Sequence, residues 1–155
     1  MAISSTNDPT NAPIPNTIVD LFPRRRLRQC VNDILTATHT NEYTVGGVRR
    51  LVVDANALFG DELIEELQRA IDRDSHQLAA GAIVVLRMIA TAPARVVLWH
   101  IGRSRHYGPL LQLDALRALC QLGERVDVKE LVALANICES LSQRSRGSHH
   151  PHDRH

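Results

Sequence analysis

Residues 108–123 read GPLLQLDALRALCQLG, and the order of their apolar and polar positions decides the fold class. Leu111, Ala115, Ala118, Leu119 and Leu122 recur at helical spacing. Pro109 stands where a first helical turn needs no backbone N–H, and Gly123 where a left-handed C-cap would fall. The spacing predicts a helix with one buried face and both ends marked.

Working outward, each flank repeats the theme. Downstream, Asp127 and Glu130 have capping-box spacing, and a last helix follows through Leu131, Leu134, Ala135, Cys138 and Leu141. Upstream, Gly102 to Gly108 reads as a loop. The segment ARVVLWHIG before it carries strand-favouring Val96, Val97, Trp99 and Ile101, but no other run could pair with a strand there. A lone strand leaves its backbone unsatisfied, so a short helix opened by Pro93 is expected. From His76 to Ile89 the chain is apolar almost all round, which places that helix in the middle of the fold, with Ser75 as its cap. Leu63, Ile64, Leu67, Ala70 and Ile71 mark a helix with Asp61 and Glu62 in its first turn. Val48, Leu51, Val52, Ala55, Leu58 and Phe59 mark another that ends near Gly60, and Leu27, Cys30, Val31, Ile34 and Leu35 mark the first, from Arg24. Thr36 to Gly47, with its Gly46-Gly47 pair, reads as the loop between them.

Composition agrees with an all-α domain. The chain has 155 residues, enough for one domain with a real core, and is 44% hydrophobic but only 3% aromatic. Such a core must be built from Leu, Val, Ile and Ala, which suits packed helices. The expected domain is 24–141, a compact irregular bundle or short stack of six to seven helices. The segment 1–23 is a polar tail with Pro9, Pro13, Pro15 and Pro23, and 142–155 is a second tail whose RGSHH stretch resembles an affinity-tag linker. Both tails are expected to be disordered. With no signal-peptide pattern and no apolar run of membrane-spanning length, a cytoplasmic protein is expected, or a nuclear one in a eukaryotic or viral setting. The three cysteines, Cys30, Cys120 and Cys138, lack metal or disulfide spacing and read as small buried hydrophobes.

The alternation of short helices with tight turns, ending in LDALRALCQLGERVDVKELVALA, resembles HEAT-type helical repeats over roughly residues 48–141. Ala79, Ala82, Ile83 and Leu86 recur 36 residues on as Ala115, Ala118, Leu119 and Leu122. The resemblance implies a partner-binding surface without catalysis. Leu113–Leu122, Val128–Ala135, a turn at Asn136-Ile137 and Glu139–Arg146 also resemble the winged-helix core of small bacterial DNA-binding regulators. That resemblance implies a recognition helix reading DNA through Ser140, Ser142, Gln143, Arg144 and Arg146.

Net charge is +1, so any nucleic-acid reading rests on local clusters. Lys129 is the single lysine and every other cationic side chain except histidine is arginine. Arg24, Arg25, Arg26 and Arg28 open a predicted helix, where the macrodipole disfavours cations, so nucleic-acid phosphates, a nuclear-import receptor or acidic residues elsewhere in the fold should offset them. Arg49, Arg50, Arg103, Arg105, Arg144 and Arg146 would extend a nucleic-acid patch if folding gathered them. His100 and His106 lack the spacing of a metal pair, and no phosphate loop, nucleophile elbow or paired catalytic carboxylates occur. Glu62, Glu65 and Glu66 read as a solvated helix face. No catalytic residue, metal site or cofactor is expected. The leading expectation is a non-enzymatic interaction or adaptor module that binds a protein partner, or a second copy of itself, through packed helices. The alternative is a nucleic-acid-binding regulator.

Overall fold

The computed structural model describes residues 21–40, 45–73 and 75–147, and both expected tails lie largely outside them. The described residues form a compact bundle of seven α-helices without strands. They are α1 (Leu21–His39), α2 (Val45–Phe59), α3 (Asp61–Arg73), α4 (His76–Ile89), α5 (Ala92–Arg103), α6 (Gly108–Gln121) and α7 (Val128–Gly147). One 3-10 turn, Arg105–Tyr107, joins α5 to α6.

The centre is α4, as its lack of a polar face requires. None of residues 78–89 is exposed, and α1, α2, α3, α5 and α6 all pack against this helix. Val85 and Leu86 are completely buried there, as are Leu63, Leu67, Leu98, Ile101 and Leu119 on the surrounding helices. Each such aliphatic side chain contributes about 1.5–3 kcal/mol through the water it leaves. Helices α5 and α6 pack closely at Gly102. A Cβ on Gly102 would lie 2.5 Å from a methyl of Leu116, so a larger residue there would force Leu116 or its helix to shift.

Helix ends follow local chemistry. At the end of α6 the N–H of Gly123 donates to Cys120 O and that of Glu124 to Leu119 O, and Gly123 has φ +82°. This is a Schellman cap, in the place the sequence assigned to it. Asp127 Oδ1 accepts from the Lys129 N–H at 2.9 Å and caps α7. Ser75 has N-cap backbone angles, but its hydroxyl makes no capping bond. Ala90 closes α4 in the left-handed region, φ 57°, without being glycine. Arg95 holds this end in place: its guanidinium donates to Ala90 O, to Leu122 O and to Glu124 Oε1, tying the negative ends of α4 and α6 together.

Several boundaries differ from the sequence reading. Helix α1 begins at Leu21, with Pro23 in the first turn, where a missing N–H costs nothing. Gly46 and Gly47, expected in a loop, lie in the first turn of α2. The expected turn at Asn136-Ile137 does not occur. Helix α7 runs unbroken to Gly147, past the boundary expected at Leu141, so the helix-turn-helix is withdrawn. Without Gly or Pro there the helix continues at small cost, and Ser140 Oγ donates back to Asn136 O. Cys120 is exposed and Cys30 and Cys138 are half-buried, so none is the buried hydrophobe expected. Leu58, assigned to the apolar face of α2, is 76% exposed.

The two left-handed caps predict opposite responses. Ala90→Gly should raise stability by up to about 1 kcal/mol, and Gly123→Ala should lower it by about 1–2 kcal/mol. Urea unfolding of the two variants beside the parent checks both signs.

Candidate functional site

Two features stand out once the core is complete: a buried glutamate ringed by arginines, and a cleft that α7 leaves open.

Glu66 stands on α3 three residues after Leu63 and four before Ala70, at the edge of the apolar stripe. It is 4% exposed, so it does not belong to a solvated face as the sequence reading had it. Arg73 contacts Oε1 at 2.8 Å, Arg69 contacts Oε2 at 3.1 Å, and Arg28 approaches from α1 at 3.6 Å. Burial pushes the carboxyl up, but the Arg69 and Arg73 hydrogen bonds and the charges of Arg73 and Arg28 outweigh it, and the group ends below its ordinary value. One member of the Arg24–Arg28 cluster is thus used inside the fold.

The cleft lies between the end of α5, the 3-10 turn, the start of α6 and the first half of α7. It encloses about 680 Å³. Its apolar lining includes Gly102, Pro109, Leu116, Leu134 and Ile137; Arg103 and Arg105 line one side and Glu130 the other. Arg103 lies 4.3 Å from the ring centre of Trp99, the single tryptophan, which fixes the guanidinium at the rim. Tyr107 secures the turn that carries Arg105. Its ring meets those of His100 and His106 edge to face. Burial, a hydrogen bond to Asp72 of α3 and the Asp72 charge push its phenol up, against a smaller opposite pull from Gln68.

The cleft exists because α7 covers little. It packs chiefly on α6, Leu131 and Leu134 touch the core, and none of its residues is buried. Val128, Val132, Ile137 and Leu141 are between 47% and 68% exposed. A polar-faced surface helix would not leave this much apolar side chain in water.

The expected nucleic-acid residues are dispersed over several elements. Arg24, Arg25, Arg26 and Arg28 are exposed on α1, Arg49 and Arg50 on the neighbouring α2, and Arg144 and Arg146 in the last turns of α7. Arg103 and Arg105 are brought together on the cleft wall. Glu66, Arg95 and the cleft itself were missed by sequence reasoning, although the i+3 spacing of Glu66 from Leu63 was a usable signal. Among the described residues no group of three or more His, Cys, Asp or Glu is placed to hold a metal ion, and no helix is long and apolar enough to cross a membrane. No protein-family model, curated protein or solved structure matches the chain.

The Glu66 cluster yields a pH prediction. The folded carboxyl titrates below its unfolded value, so its contribution is complete above the ordinary glutamate range and fades as pH falls through the folded value. Glu66→Gln should cost about 1–2 kcal/mol at neutral pH, a figure reduced because the arginine heads are partly in water. The gap between parent and variant in urea unfolding should shrink steadily toward acid pH.

Proposed function

We propose that the chain is a non-enzymatic protein-interaction module that takes its partner against the α5–α6–α7 cleft. One observation carries the reading: a 20-residue helix with no buried side chain stands over an apolar cleft and leaves Ile137 and Leu141 in contact with water. Apolar area exposed beside a polar rim is a feature of binding surfaces. The likeness of the sequence to HEAT-type repeats points the same way, since such repeats bind through faces of packed helices. The nucleic-acid reading keeps one supporting observation. Among the described residues no acidic side chain pairs with Arg24, Arg25 or Arg26, which stand at the unfavourable end of the α1 dipole.

Two experiments separate these readings. A photo-crosslinking amino acid placed at position 137 in the cells that make the protein should join it to a discrete protein partner, and one at the exposed Val53 on α2 should not. Equal capture from both positions would count against the cleft. For nucleic acid, the variant Arg24→Gln, Arg25→Gln, Arg26→Gln leaves Arg28 with Glu66. Binding to DNA or RNA that falls steeply with salt in the parent, and more gently in this variant, would favour the second reading.

A further inference from the structure

The exposed side of α7 is complementary to itself. Glu130, Leu134, Ile137, Leu141 and Arg144 succeed one another at steps of four, three, four and three residues. That is the 3.5-residue period of a coiled-coil seam, here about 21 Å long at 1.5 Å per residue. Leu134 is half-buried at the edge of the seam, Ile137 and Leu141 are each 47% exposed, and Glu130 and Arg144 are exposed at its two ends. The seam is acidic at its start and basic at its finish, and apolar between.

Resting on the interaction-module reading, we propose that the occupant of the cleft is α7 of a second copy of this chain, paired antiparallel across a two-fold axis. The charges select both the partner and its direction. Parallel pairing sets Glu130 against Glu130 and Arg144 against Arg144, so each end repels. Antiparallel pairing sets Glu130 of each helix against Arg144 of the other, which places Ile137 against its own counterpart on the axis and Leu134 beside Leu141 of the counterpart on either side. The cleft walls contribute as well. Glu130, Leu134 and Ile137 already line the cleft, so a helix laid on the seam also covers part of the surface next to Pro109 and the Arg103–Arg105 rim. The contact therefore extends beyond two isolated helices.

Sedimentation velocity of the full chain over a wide concentration range tests the proposal, with circular dichroism confirming that each variant keeps its helices. The parent should convert from monomer to dimer as concentration rises. Ile137→Glu should remain monomeric. Glu130→Arg and Arg144→Glu should each weaken the dimer about tenfold, since each makes two like-charge contacts per dimer, and the double variant should recover most of that loss. The double variant is decisive because Glu130 and Arg144 also suit the dipole of their own helix. With both reversed the dipole is served worst, so recovery occurs only if the two charges meet across a pair. A parent that stays monomeric throughout, an Ile137→Glu variant that still pairs, or a double variant weaker than either single one would overturn the proposal. A monomer that still crosslinks from position 137 to a different protein would overturn the second-copy assignment alone. A monomer without such a crosslink would overturn the module reading with it.

Discussion

Between residues 78 and 89 the chain carries one charged side chain and no fully exposed residue, so α4 must be enclosed, and the placement of five other helices follows from that need. The enclosure is made with small aliphatic side chains. With 3% aromatic residues there are few large rings to fill gaps, so contact has to come from close approach of backbones. Gly102 against Leu116 is where this shows most directly, and Ala79, Ala82, Ala94 and Ala115 fill similarly narrow spaces with almost no exposure. A core of this kind is sensitive to added volume, because an added methyl group forces neighbouring side chains or a helix to shift.

The helix-by-helix plan was legible because it depends on local periodicity. His76–Ile89 was bounded to the residue, and the cap at Gly123 was readable since few residues other than glycine tolerate a positive φ. Ends without such chemistry were misread. Gly46 and Gly47 look like a loop, yet glycine in a first helical turn costs little when the face behind it is buried, and Val48 is 6% exposed. Asn136 looks like a turn, yet nothing there interrupts the backbone ladder of α7. Cys120 shows a different limit. It has helical spacing to buried neighbours but sits one position too far around α6, an error that periodicity alone does not detect.

Tertiary electrostatics were illegible for a related reason. The sequence reading left three ways to offset four arginines at the start of α1 (nucleic-acid phosphates, a nuclear-import receptor or internal acids), and whether the acids suffice depends on which helices are neighbours. Once α1 packs on α3, Arg28 reaches Glu66 and one cation is accounted for inside the fold. Glu66 in turn tolerates burial only because arginines from two helices converge on it. Removing the carboxylate would leave their heads largely in water, whereas burying it without them would be costly. Most of the cluster lies within α3, where Arg69 and Arg73 neutralise Glu66, and only the 3.6 Å approach of Arg28 reaches across to α1.

Helix α7 stands outside this economy of enclosure. Five helices already complete the wall around α4, and α7 adds Leu131 and Leu134 to the outside of α6 without burying any side chain of its own. An isolated helix of this length is marginal in water. Its persistence therefore rests on the Asp127 cap and on one-sided packing against α6, with Ile137 and Leu141 left in water. The proposed occupant of the cleft would act directly on that balance, because the side chains it would cover are those the fold leaves uncovered. Binding at this face, as proposed, would therefore be one equilibrium with the local stability of α7, while the core around α4 is closed without it.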